Sequence, residues 1–415
     1  MPISSFIFFT IFLILIITLF KRGTDVFSPA RLFAMVWSFS LGLVELKFSG
    51  LQQNWSSYSW LILVVSLFSV LLGMFIIYVQ NFEIVSTPIV LMRETIINFR
   101  VNSNVLFKLI LLLFFAYSLS YLIVYLVAGF IPFFTKRPDL MRARWNVFGA
   151  GLIIHSAPTI IYLIILFYLK VAGQLKNKIV LTIILFISLT SYILLLQRFD
   201  LVIFMVLAVM FLYYGTFKLK ARVVLILFAA LILIIYGISS IRASNLFIEY
   251  LYYGGKMKFG KSYAIFTEPY MYISMNIENF AHAVEKLTNF TYGFFTFDFI
   301  LALTGLKHWL FEYNFIDTFP HLISSTYNTY TMFFAYYRDF GILGSFIFPM
   351  LFGIISYTAY SRMKRSPDIN SISLYGVFTV AILFSFFIPM LSWLHFIYNL
   401  TTVYFFTKII VNKSN

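Results

Sequence analysis

The chain has no cysteine, which excludes disulfides, thiolate catalysis and thiolate metal ligation. Charge is also scarce. Asp, Glu, Lys and Arg make up 11% of 415 residues, where a soluble chain carries about 25%. That shortage excludes a soluble globular protein. Negative charge is the scarcer sign, with 15 acidic against 30 basic side chains and a net charge of +15. A basic balance on so apolar a chain fits anionic lipid or an anionic ligand and excludes nucleic acid as a partner.

What is present is apolar and aromatic: 61% hydrophobic residues, 21% aromatic, and a mean hydropathy of +0.93. The expected fold class is therefore an all-α polytopic membrane protein. Eight candidate spans come first, at 4–20, 30–46, 59–79, 105–129, 149–168, 179–196, 201–214 and 223–238. Three more follow at 341–360, 371–388 and 391–406, for a total of about eleven transmembrane helices. The first span has no basic n-region before it and no small-residue cleavage site, so it reads as a retained helix.

Between the two groups lies a polar, tyrosine-rich segment from Ser239 to about Tyr327, which holds three of the five histidines. The expected organisation is a membrane domain over 1–238, a loop with short helices over 239–340, and a second membrane domain over 341–415. Lys and Arg in the short loops set the orientation. With the N-terminus outside, each of the five inner loops carries three basic residues, among them Arg93, Lys170, Lys176 and Arg362. The long segment then lies outside, which in a bacterium with two membranes is the periplasm. One short outer loop breaks the rule with Lys136, Arg137, Arg142 and Arg144. Positive charge on the wrong side needs compensation, and an anionic ligand supplies it; lipid head groups on a solvated loop are the alternative.

Candidate functional residues cluster on the outer side. Arg198 and Asp200 occupy the tight QRFD turn, and Arg242 follows the eighth span in SSIRAS. A guanidinium so placed can grip a lipid-linked phosphate bidentately or simply snorkel beside Asp200. His321 opens the polar run HLISSTYNTYT, which contains Asn328 and leads to Arg338 and Asp339 in YYRDFG. An imidazole there suits a general base acting on a sugar hydroxyl, with Asp339 as the next candidate. The His282–Glu285 and His308–Glu312 pairs have helical spacing but no third ligand nearby, so surface pairing is the reading and no metal site is expected. His155 and His395 lie within or beside spans and receive no role. Residues 276–287 read as a short amphipathic helix, and 294–306 as an interfacial or re-entrant stretch.

Several stretches together carry a resemblance: DVFSPARLFAMVW after the first span, the QR turn before a long apolar run, the outer segment, and NTYTMFFAYYRDFGILGSFIFPMLFG. In these the chain resembles the bacterial oligosaccharide repeat-unit polymerases, the Wzy-type O-antigen polymerases. The resemblance implies a GT-C-like glycosyltransferase of the bacterial inner membrane. Such an enzyme moves a glycan from undecaprenyl pyrophosphate to a sugar hydroxyl of the next lipid-linked repeat unit, without metal or cofactor. Its implied partners are those lipid-linked oligosaccharides, membrane lipid and a chain-length regulator protein. By the same resemblance Arg198 and Arg242 bind the pyrophosphate and His321 is nearest to the base. Related ligases pair His tightly with Asn, whereas here six residues separate His321 from Asn328.

Three alternatives stand beside it. A lipid-linked oligosaccharide flippase favours two similar halves and charged spans, which are lacking here. An O-antigen ligase, passing the glycan to lipid A core, differs little in sequence. A metal-using monosaccharide transferase needs acids in the first outer loop, where only Glu45 lies.

Overall fold

The computed structural model describes residues 2–21, 24–82, 86–136, 138–196, 198–216, 219, 223, 245–307, 309–310, 317 and 319–412. Among these there is no β-strand, only an isolated antiparallel bridge between Ser49 and Met257. Six helices are long and apolar enough to cross a membrane: Ser57–Gln80, Ser103–Phe134, Ala150–Lys170, Leu175–Leu194, Phe333–Arg365 and Leu394–Val411. Four shorter apolar helices join them, at Ile3–Leu19, Pro29–Val44, Leu201–Gly215 and Ile369–Leu383. The protein is thus an all-helical, multi-pass membrane protein. The expected span at 223–238 lies outside the described residues apart from Val223.

Local chemistry sets several helix ends. The Ser56 and Asn102 side chains accept from Ser59 N and Val105 N, satisfying amides at the first turns of two spans. The Ser57–Gln80 helix turns Leu61, Val64, Phe68 and Phe75 outward and buries Ile62, Ser66, Ser69, Val70 and Gly73. Large apolar groups outside and small ones inside are what a helix packed in lipid requires. The span expected from Gly341 belongs to a helix that begins eight residues earlier, at Phe333, and breaks at Gly341 (φ 60°, ψ −142°). That backbone conformation is open to glycine and strained for other residues.

The chain forms two compact units, each assembled from separate stretches. The first comprises Met1–Val85, Lys220–Ser361 and Ala381–Trp393; the second comprises Ser86–Leu219, Arg362–Val380 and Leu394–Asn415. Chain order is therefore not unit order, and the long polar segment shares a unit with the first three helices.

In the first unit the Thr267–Lys286 helix packs on the Pro29–Val44 and Ser57–Gln80 helices. The amphipathic stretch expected at 276–287 is its second half, with Ile277, Phe280, Ala281 and Val284 buried as the periodicity requires. Its fully buried Glu278 receives Lys47 Nζ at 2.7 Å, Trp55 Nε1 at 2.8 Å, Gln52 Nε2 at 3.2 Å and Gln53 N at 3.3 Å. A buried carboxylate is tolerated when so thoroughly paired. Glu285 receives Ser56 N at 2.7 Å and Ser59 Oγ at 3.1 Å. Burial works against its charge, yet these hydrogen bonds outweigh it and hold the carboxyl below its ordinary value. Two carboxylates thus bind the loop at 45–56 to the segment's main helix.

The second unit has a polar zone at each end of its helices. At one, Arg93 donates to Tyr213 O and Leu219 O, and Lys170 Nζ donates to Ile96 O and Ile97 O. Cations on carbonyls at helix C-termini complement the helix dipole. At the other, Trp145 Nε1 donates to Phe130 O at 2.7 Å and Arg142 Nη1 donates to Leu196 O at 3.3 Å. The first set is the set expected inside and the second the set expected outside, so the alternation read from loop charges is reproduced within this unit.

Candidate functional site

The site in the first unit is built on the Thr267–Lys286 helix. Asn279 Nδ2 donates to Tyr327 O at 2.6 Å and Thr329 O at 3.1 Å, while its Oδ1 receives Ile323 N at 3.1 Å. Asn276 Oδ1 receives the Thr329 hydroxyl. Two buried amides therefore fix the polar run 323–329, satisfying backbone groups that no regular structure pairs. Tyr330 continues the run, donating to Pro320 O and stacking on Phe334 with centroids 3.8 Å apart.

These contacts frame a cavity of about 230 Å³, walled by Phe294, Phe295, Tyr330, Phe334 and Trp393. Asn328, Thr329 and Ser392 supply polar groups, and the Asp298–Lys307 ion pair lies in the same lining. Asp298 opens the Asp298–Thr304 helix, whose Ile300 and Leu303 are exposed apolar residues. An interfacial stretch was expected there.

His321 is exposed and adopts a left-handed φ of 58°, a conformation that L-residues adopt at a cost. Its carbonyl receives His282 Nδ1 at 2.9 Å. A carbonyl only accepts, so His282 carries its proton on Nδ1 and, when neutral, presents Nε2 as a free base. Partial burial, and then the positive charges of His282, Arg338 and Lys286, hold His321 below its ordinary imidazole value against the pull of Asp317. Arg338 Nη1 donates to Asn289 O at 2.7 Å, and its buried Nε has no hydrogen-bond partner among the described residues.

Asp339, expected as a reserve base, is placed differently. It is 0% exposed, and its carboxylate receives the Thr291 hydroxyl, Phe295 N at 3.2 and 3.1 Å and Thr296 N at 2.6 Å. Closed off from solvent and surrounded by donors, it anchors the turn that carries Phe294 and Phe295 into the cavity wall. The His282–Glu285 pair is likewise divided between two tasks, Glu285 on Ser56 and Ser59, and His282 on His321. Among the described residues no three His, Asp or Glu side chains converge as a metal site.

His321, Asn328, Arg338 and Asp339 fall in the first unit, whereas Lys136, Arg142 and Arg144 are exposed in the second. Arg198 is the first residue of the Arg198–Gly215 helix, and its side chain lies outside the described residues. Arg137, Arg242, His308 and Glu312 lie wholly outside them. The sequence reading weighed His282 only as a surface pair with Glu285, and no sequence signal shows that its Nδ1 reaches the His321 carbonyl. No family profile, characterised protein or solved structure matches this chain.

Proposed function

We propose that the chain is a membrane glycosyltransferase that polymerises lipid-linked oligosaccharide repeat units at the periplasmic face of a bacterial inner membrane. The observation that carries this reading is the aromatic cavity of about 230 Å³, bordered by Asn328, whose wall residue Tyr330 donates to the carbonyl of Pro320, the residue before His321. Flat aromatic faces with amide and hydroxyl groups at their edge match a sugar ring, which is apolar on its C–H faces and polar around its rim. An imidazole held below its ordinary value stays neutral near pH 7 and is able to take a proton.

In this reaction the acceptor oxygen bonds to the anomeric carbon while the bond from that carbon to the phosphate oxygen breaks. The hydroxyl proton passes to His321, and undecaprenyl pyrophosphate leaves. Charge grows on the leaving oxygen, and fixed cations stabilise it. By the resemblance alone that role belongs to Arg198 and Arg242, with Lys136, Arg137, Arg142 and Arg144 as supporting charge. A GT-C-like arrangement of about eleven spans, a metal-independent reaction and a chain-length regulator as partner belong to the same reading.

The glycan profile of a deletion strain tests it. Surface lipid capped with single repeat units, with the long chains lost, is the expected outcome. Complete absence of caps would replace the polymerase with a ligase or a flippase.

A further inference from the structure

In the first unit, the turn that closes the Asn245–Gly254 helix is bound to the loop joining two apolar helices, Pro29–Val44 and Ser57–Gln80. Gly50 N donates to Lys256 O and Lys258 N donates to Phe48 O, both at 2.8 Å, and the Ser49 hydroxyl donates to Gly255 O at 2.5 Å. Phe48 stands four residues beyond the first of those helices, and its ring meets Phe259 edge to face with centroids 6.0 Å apart. The second helix is long and apolar enough to cross a membrane. The loop at its end, and the turn fastened to that loop, therefore stand at a bilayer surface.

The two sides of this segment differ. Inward, Leu251 packs with Tyr270, Met271, Met275 and Tyr327 in one buried cluster, with Met257 against it. Outward, Tyr253, Tyr263 and Phe266 are each more than half exposed. Lys256, Lys258 and Lys261 lie among these rings and are exposed as well. Across 249–266 the only acidic side chain is Glu249, which pairs with Lys261 at 3.0 Å. Lys258 Nζ gives one hydrogen bond, to Lys47 O at 2.9 Å, and an ammonium group has three to give.

We propose that the surface formed by Tyr253, Tyr263 and Phe266 with Lys256, Lys258 and Lys261 seats on the head groups of anionic phospholipid. Bulk water does not favour such a gathering of exposed rings. Protein interfaces take aromatic rings readily but are depleted of lysine. The head-group layer accepts both, because rings lie flat at its depth while ammonium groups on flexible stems reach lipid phosphates. With one of three lysines neutralised by Glu249, the surface keeps a net positive charge that complements an anionic leaflet. Thr267 follows Phe266 directly and opens the helix that carries Asn276, Asn279 and His282. Seating the surface therefore sets the height of that helix over the bilayer. The surface stands whichever leaflet it meets, and whether or not the chain polymerises glycans.

The test uses the full-length protein carrying Ser262→Cys, an exposed position between Lys261 and Tyr263, labelled there with an environment-sensitive fluorophore in nanodiscs. Head-group spin-labelled phosphatidylglycerol and phosphatidylcholine are compared as quenchers at equal mole fraction. Both should quench, and phosphatidylglycerol should do so about threefold or more efficiently, because each lysine near an anionic surface attracts it. In the Lys256→Gln/Lys258→Gln variant that excess should fall towards equality while quenching by phosphatidylcholine persists. Persistence shows that the surface is still folded and still seated. A probe that neither lipid quenches would overturn the proposal, facing water if aqueous iodide reaches it and covered by protein if iodide does not. Equal quenching by the two lipids in the unaltered protein, or an excess that survives loss of both lysines, would refute the preference for anionic lipid.

Discussion

In the proposed reaction His321 takes the proton, and the charge of His282 beside it helps to keep it neutral beforehand. Removing the imidazole in His321→Ala should cost on the order of 10² in polymerisation rate if it is the base. The sign of its shift fixes the pH profile. A depressed pKa keeps His321 neutral as pH falls through the ordinary imidazole value, so kcat/KM should stay flat there and decline only below it. His282→Asn removes one of the depressing charges and should move that acid limb upward. An acid limb that stays in place in the His282 variant would separate the two histidines. Of these features the polar run with Asn328 was legible, because its composition marks it out from the apolar chain around it. The fate of Asp339 was not. YYRDFG reads the same whether its carboxylate faces solvent or three donors from the turn at 291–296, and only the fold brings that turn to it.

At the scale of elements, hydropathy located most of the apolar helices within a few residues, six of them long enough to cross a bilayer. The contacts between them were hidden, as glycines within spans are common and few mark a crossing. Gly73 and Gly353 do mark one: a Cβ at Gly73 would lie 2.1 Å from Met350 O, and one at Gly353 would lie 2.1 Å from Val70 O. The Ser57–Gln80 and Phe333–Arg365 helices touch backbone to backbone there, the close approach that small residues permit in lipid. Gly353→Val should therefore lower the thermal midpoint of detergent-solubilised protein. Glu278→Ala should destabilise the first unit by about 3 kcal/mol or more, because it leaves Lys47 and three other donors without their acceptor. A midpoint unchanged in both variants would mean that neither the crossing nor the carboxylate holds the unit together.

For the whole molecule, the sequence reading placed the boundaries at 238 and 340, where composition changes, but compact units form where side chains pack. The Lys47–Glu278 bond joins residues on either side of the first of those boundaries within one unit. Alternation of loops between two faces was legible, because Lys and Arg are few enough in this chain for their positions to carry a signal. Within the second unit the contacts of Arg93 and Lys170 gather at one end of the helices and those of Trp145 and Arg142 at the other. That geometry fixes which loops share a face but not which face is outside, and the site chemistry proposed here requires the long segment to be outside. The absence of cysteine allows a direct test, since any introduced thiol is unique. Lys258 and Lys286 on the long segment and Lys176 in an expected inner loop are all exposed. Cysteines at the first two positions should react with a membrane-impermeant maleimide in intact spheroplasts, and one at Lys176 should react only after lysis. Labelling of the Lys176 position alone would invert the topology and place the cavity and His321 on the cytoplasmic side, where periplasmic polymerisation has no acceptor.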